Sequence, residues 1–428
     1  MPSVKHFIAD GATLFGSSKR VDRERLELDR TLQNAQLDEN FLNLIEEGAW
    51  TLDQGDSSIS ETELRERHLP SYQQAIQAGA LNIMASYNSW QGLKLHEHHY
   101  LLSQVLKSEL GFKGFIVTDW EGIRQLDEDY YQCVIRSVNA GIDMVMVPFD
   151  YVSFINTLTK AVEAGDVSLD RIDDAVSRIL YAKASLGLFE HPRCERKLLE
   201  RVGSKSHRLL AREAVRKCLT LLKNDELLPL RKDISLTIMG EAAHSIGHQC
   251  GGWTISWMGQ GGPITKGTTI LEGIEAAIGK DRVRFSPDAE VQGADIGLLI
   301  LAEEPYAEGM GDKYSLELTP QQKALIHKAR AACQKLIVLL LSGRPLIVTE
   351  ELPLMDAFIA AWLFGSEGDG VADVLFGDYP FHGKLYYNWP KSMNDIPLTS
   401  ESQSLFPVQA YEPSNSEPQT LSISSMSL

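Results

Sequence analysis

The feature that constrains this chain most is the regular return of short, almost uninterrupted apolar runs separated by stretches of helical periodicity. LNIMASY (81–87), GFIVTDW (114–120) and GIDMVMVP (141–148) form a first series; ISLTIMG (234–240), RVRFS (282–286), DIGLLILA (295–302) and KLIVLLLSG (335–343) form a second. Runs of this kind are expected of strands in a parallel sheet, which helices cover on both faces. The intervening segments supply the helices. HHYLLSQVLKSEL (98–110) is one, and SLDRIDDAVSRILYAKASLGLF (168–189) closes the first series, with Ile172, Ala175, Val176, Ile179 and Leu180 at helical spacing and Gly187 past its end. In the second series TPQQ predicts a helix start, with Thr319 as cap, Pro320 as first helical residue and Gln322 as the reciprocal partner. The class is therefore α/β, in two blocks.

Residues 190–208, with Pro192, Arg193 and several charges but little periodicity, read as a linker between a domain at 1–189 and another at 209–397. Two segments fall outside the alternation. Residues 15–50 form a charged insertion in which Leu28, Leu32, Leu37, Leu42 and Ile45 line one or two helices, and 398–428, rich in Ser, Pro and Gln, reads as a disordered tail.

Composition narrows the function classes. The 428 residues carry 41 Lys+Arg against 58 Asp+Glu, a net charge of −17, which disfavours nucleic acid and anionic lipid as partners. No apolar run reaches the roughly 18 to 20 residues of a membrane span. The five cysteines are odd in number, scattered and without CxxC spacing, so neither a disulfide framework nor a zinc site is expected. MPSVKHFIADG lacks a basic segment followed by an apolar stretch, so the chain as written carries no secretory signal. No G-x-G-x-x-G or Walker-type loop follows a predicted strand, which argues against a nucleotide-binding protein.

The chemistry concentrates at strand ends. Asp119 closes FIVTD where a buried parallel strand runs out, the edge at which barrel enzymes collect catalytic groups; an Asp there can equally cap the next helix. Trp120 beside it offers a flat face suited to a sugar ring. Lys5-His6 and Tyr87-Asn88-Ser89-Trp90 bring hydrogen-bonding groups and a further ring to the same edge. AEEPYAEGMGD (302–312) gathers Glu303, Glu304, Glu308 and Asp312 into one loop, which reads either as a solvated acidic loop or as part of a site. In GGWTISW, Gly251 and Gly252 permit close backbone approach, while Trp253 and Trp257 are either core or ligand platforms.

Taken together, KHFIADGAT (5–13), MASYNSWQG (84–92), GFKGFIVTDWEGI (111–123), CGGWTISW (250–257), EEPYAEGMGD (303–312), SGRP (342–345) and GSEGDGVADVLFGD (365–378) resemble glycoside hydrolase family 3, in its β-glucosidase and exo-β-glucan glucohydrolase branch. The resemblance implies a TIM-like (β/α) barrel, here partial, followed by an α/β sandwich domain with a mostly parallel sheet. It implies release of glucose from non-reducing ends through a covalent glycosyl-enzyme. On the matching positions Asp119 is the expected nucleophile and Glu308 the acid/base, the two coming from different domains. Lys5, His6, Tyr87, Trp120 and Trp257 are the expected substrate contacts. Neither cofactor nor metal is implied. A hexosaminidase branch of the family carries a loop His where this chain has Asp10, which favours the glucosidase branch. Complete members carry about half a barrel before the KHF motif, so a truncated chain that at most binds glucan is the competing expectation. The Arg that follows the nucleophile motif is shifted, with Arg124 one place early. Members are often exported, but the compartment is left unassigned.

Overall fold

A computed structural model describes residues 1–18, 47–398 and 402–408. Two compact units result, one of Met1–Lys197 together with Glu308–Tyr314, the other of Leu198–Ala307 with Ser315–Leu428. The short segment Glu308–Tyr314 thus groups with the first unit, although the strands on either side of it in sequence belong to the second. In sequence Glu308 lies within the expected second domain, 209–397.

In the first unit, strands β1 (Val4–Phe7), β2 (Asn82–Ala85) and β3 (Phe115–Val117) make a parallel sheet in the order β1-β2-β3. Alternate side chains go to opposite faces. Phe7, Ile83, Ala85 and Ile116 pack on Leu101, Leu102, Val105 and Leu106 of the helix Tyr100–Glu109, while Phe115 and Val117 meet Ala182 and Ile179 of the helix Leu169–Ser185. The strand expected at 141–148 is reduced to one parallel bridge between Val117 and Met144. Its physical cause is visible at Asp143, whose carboxylate takes the Ile116 N–H at 2.8 Å in place of a backbone carbonyl. That carboxylate also holds Lys107 at 2.7 Å and pairs with Arg171.

The helix Leu169–Ser185 starts as expected, with Ser168 Oγ accepting from the Arg171 N–H. Its predicted apolar stripe is only partly used: Ala175 is buried, but Val176 and Leu180 stay exposed, as do Tyr151, Val152 and Ile155 of the preceding helix Tyr151–Ala164. Of the insertion at 15–50, only the ends are described. Trp50 is buried and Phe15 packs edge-on against Tyr314; the predicted helices around Leu28 to Ile45 lie outside the described residues.

In the second unit, β4 (Thr220–Asn224), β5 (Leu236–Met239), β6 (Val283–Ser286), β7 (Ala294–Ala302), β8 (Cys333–Leu341) and β9 (Ala357–Ala360) form one sheet ordered β4-β9-β8-β7-β5-β6. All its pairings are parallel except β9 with β4. Leu298, Ile300, Ile337 and Leu339 face one core, and Leu299, Leu301, Val338 and Leu340 the other, which is why β7 and β8 read as unbroken apolar runs. The predicted capping box forms, Thr319 Oγ1 accepting from Gln322 N and Gln322 Oε1 accepting from Thr319 N.

Two expected boundaries shift. The linker read at 190–208 ends early, because the helix Lys205–Cys218 is anchored along its length: Arg208 pairs with Glu367 at 2.8 Å, and Arg212 and Arg216 share Asp373. The tail read at 398–428 is ordered at 402–408. There Phe406 is buried against Phe358 and Trp389, with ring centroids 5.8 and 5.6 Å away, and an aromatic side chain sheltered this well holds its backbone in place.

Candidate functional site

Asp119 stands two residues beyond the C-terminal end of β3, and each of its polar groups is committed. Its N–H donates to His96 Nε2 at 3.0 Å, its carbonyl accepts from Gly122 N at 3.1 Å, and its Oδ1 accepts from Trp120 N at 2.7 Å. Oδ2 lies 3.5 Å from His6 Nε2, and His6 Nδ1 is 3.3 Å from Asp10 Oδ2. The His6 imidazole therefore sits between two carboxylates. Burial works against its charged form, but the hydrogen bond to Asp10 and the Asp119 charge outweigh that and raise its pKa. For Asp10 too burial is the largest single influence and disfavours the carboxylate, but the His6 contact outweighs it and keeps its pKa below the ordinary value. When protonated, this imidazole favours an ionised carboxylate at Asp119.

The other sequence candidates of the first unit divide. Lys5 is exposed on β1, next to His6. Tyr87 lies 5.8 Å, ring to ring, from His96, which is itself bonded to Asp119. Trp120 is 41% exposed and held edge-on by Phe149, an available aromatic face. Arg124 pairs with Glu121 at 2.6 Å and lies over the Tyr130 ring, so it is engaged locally.

Glu308 is exposed, at a left-handed backbone position with φ of 50°, a conformation costly for any residue but glycine. The residues after it hold it there. Gly309 N donates to Asp53 Oδ2 at 3.0 Å, Trp50 N donates to the Gly309 carbonyl at 2.7 Å, and Asp312 Oδ2 accepts from both Leu52 N and Asp53 N at 2.8 Å. A side chain at Gly309 would strike the Trp50 ring, its Cβ falling 2.1 Å from a ring carbon. The four acids of the 302–312 loop thus separate by environment. Glu303 pairs with Arg344 at 2.8 Å, Glu304 approaches His248 at 3.4 Å, and Asp312 caps backbone.

In the second unit, Trp257 is exposed on a tight loop, where its carbonyl accepts from Trp253 N at 2.9 Å. Gly252 is required there, since a Cβ would fall 2.0 Å from the Tyr306 carbonyl oxygen.

Sequence reasoning passes over His96, Trp50 and the structural roles of Asp53 and Asp312. His96 lies in KLHEHHY, where nothing separates it from His98 and His99. The DQGD motif around Asp53 was a usable signal, since an Asp near a tight turn commonly binds backbone N–H groups.

Comparison with known proteins decides the family. The profile of the glycosyl hydrolase family 3 N-terminal domain matches residues 47–182, and that of the family's C-terminal domain matches residues 219–419. The chain belongs to glycosyl hydrolase family 3. It is 32% identical over 375 residues to a lysosomal β-glucosidase of Dictyostelium discoideum, covering 79% of this chain and 45% of that protein. It is 30% identical to a periplasmic β-glucosidase of Salmonella typhimurium, covering 79% of this chain and 50% of that one. Among solved structures, an exo-1,3/1,4-β-glucanase from a Pseudoalteromonas species superposes with a TM-score of 0.81 at 36% identity, covering 96% of this chain and 50% of that one. A β-glucosidase from Listeria innocua in complex with glucose gives a TM-score of 0.76 at 26% identity, over 92% and 52% of the two chains. This family 3 chain spans about half the length of these relatives. The α/β class with a mostly parallel sheet is shared with these structural neighbours.

Proposed function

We propose that this chain carries the reacting groups of a retaining glycoside hydrolase that releases glucose from the non-reducing end of β-glucans or β-glucosides. Asp119 attacks the anomeric carbon to form a glycosyl-enzyme, and Glu308 protonates the departing oxygen. Glu308 then takes a proton from the water that frees glucose with retained configuration. For that sequence the two carboxyl groups approach to about 5 to 5.5 Å in the working geometry. Lys5, His6 and Tyr87 contact the sugar, and Trp120 and Trp257 offer aromatic faces to a neighbouring glucosyl residue. The chemistry calls on no cofactor or metal.

The observation that carries this reading is the setting of Asp119: a carboxylate at a parallel strand end, its backbone N–H and carbonyl both tied, with the His6 imidazole 3.5 Å from one carboxylate oxygen. The relatives named as β-glucosidases and exo-glucanase supply the substrate class. Assay on an aryl β-glucoside and on laminarin tests it. Turnover is expected to vanish in Asp119→Ala and to collapse in Glu308→Gln; activity surviving both substitutions removes the assignment.

A second reading, a chain that binds glucan without hydrolysing it, is favoured by one feature of the first unit. Among the described residues its barrel-type sheet has three strands and a single bridge, where a closed barrel needs eight, and Tyr151, Val152, Ile155, Val176 and Leu180 remain exposed. Turnover above host background from the purified chain excludes this alternative. A net charge of −17 argues against nucleic acid as a partner, and no helix among the described residues is long and apolar enough to cross a membrane.

A further inference from the structure

We infer that His96 is a positioning residue for Asp119, its ring nitrogen fixing the main chain from which the nucleophile projects. This rests on the role just proposed for Asp119.

His96 is 1% exposed, and its Nε2 accepts the Asp119 N–H at 3.0 Å. A neutral imidazole accepts at one nitrogen only when the other carries the proton, so the ring is the Nδ1–H tautomer. That Nδ1 is buried without a hydrogen-bond partner. A buried donor left unmade is a standing cost, and an apolar side chain of similar volume would avoid it. The cost has a counterpart in what Nε2 does for Asp119, the pattern expected where local stability yields to function. The ring also stays neutral: burial, and then the Lys94 charge, press its pKa down to about 3, so the accepting lone pair persists across any ordinary working pH.

The approach of the ring is built in. A Cβ at residue 122 would fall 2.5 Å from His96 Nε2, so only glycine lets the imidazole reach the Asp119 N–H, and Gly122 N returns a bond to the Asp119 carbonyl. With Trp120 N on Oδ1, the remaining carboxylate oxygen faces His6. Tyr87, an expected sugar contact, lies against His96 with its ring centroid 5.8 Å away and tilted. Its carbonyl accepts from Lys94 Nζ at 2.8 Å. One imidazole therefore ties the candidate nucleophile to a candidate substrate contact.

The test uses the whole chain with His96→Leu, which removes the acceptor, and His96→Gln, which restores one. Inactivation by 2-deoxy-2-fluoro-β-D-glucosyl fluoride is followed by intact mass. His96→Leu is expected to lower the maximal labelling rate by on the order of tenfold or more with the half-saturating concentration little changed, and His96→Gln to recover most of it. Equal rates in wild type and His96→Leu overturn the proposal; so does a loss that merely follows the folded fraction and is not recovered by Gln. If the wild type itself takes no label, the hydrolase reading fails separately. Amide hydrogen exchange then decides His96: protection at Asp119 is expected to drop about tenfold in His96→Leu, but not in His96→Gln, with Val117 unaffected. Unchanged protection at Asp119 overturns it.

Discussion

His6 Nε2 stands 3.5 Å from Asp119 Oδ2, while the opposite nitrogen of the same ring faces Asp10 at 3.3 Å. The imidazole thereby couples an acid outside the expected site to the one proposed to attack the sugar, and the coupling has measurable consequences.

The raised pKa of His6 sets a pH window. Its contribution to stability is complete below the unfolded value of about 6.5 and is lost as pH rises through the folded value. For Asp10, whose pKa is lowered, the contribution is present above about 3.9 and lost as pH falls through the folded value. The pair is therefore expected to stabilise most between about pH 4 and 6.5. Asp10→Asn should lower the His6 pKa in an NMR titration of the imidazole protons, and an unmoved titration contradicts the pairing.

His96 acts in the opposite sense. Folded, it resists protonation down to about pH 3, whereas the unfolded chain takes up the proton near 6.5, so stability should fall as pH drops through this interval. Its share is up to about 1.4 kcal/mol per pH unit. Urea unfolding of wild type and His96→Gln at pH 7 and pH 5 measures it, with the variant expected to lose less.

Gly309→Ala should disturb Glu308 without touching its carboxylate. The new Cβ meets the Trp50 ring, so the expected cost is about 1 to 3 kcal/mol, together with a change in Trp50 fluorescence. Glu308→Gly, in contrast, should lower hydrolysis of poorly activated β-glucosides by about 10² to 10⁴, and far less for dinitrophenyl glucosides, whose leaving group needs no proton. Glu303→Gln should show no such dependence on the leaving group, because Glu303 is committed to Arg344.

Phe406→Ala is expected to destabilise the second unit by about 3 to 5 kcal/mol, as for other buried aromatics. A thermal unfolding midpoint equal to wild type would mean that 402–408 contributes nothing.

What was legible in the sequence follows from what periodicity encodes. β7 and β8 are buried on both faces, so their runs declared themselves, and Thr319 with Gln322 announced a helix start. β4 and β9 escaped notice because one is half-polar and the other spans only Ala357–Ala360. The 141–148 run reads as a strand, but Asp143 replaces one ladder bond with a side-chain one, a substitution invisible to an apolar count. At the site, Asp119, His6 and Glu308 could be named from motifs. The grouping of Glu308 with the first unit could not, since it depends on Asp53, Trp50 and Asp312 meeting across about 260 positions of sequence. Phe406 was hidden in a Ser-rich context whose composition argues for disorder, although one aromatic suffices to dock a short segment.

If Asp119 forms the covalent bond to the sugar, peptide mapping after treatment with 2-deoxy-2-fluoro-β-D-glucosyl fluoride finds that bond. The expected result is one fluoroglucosyl adduct, confined to the peptide holding Asp119 and absent from Asp119→Asn. An adduct on a different carboxylate, or none on the folded wild-type chain, rules out Asp119 as the nucleophile.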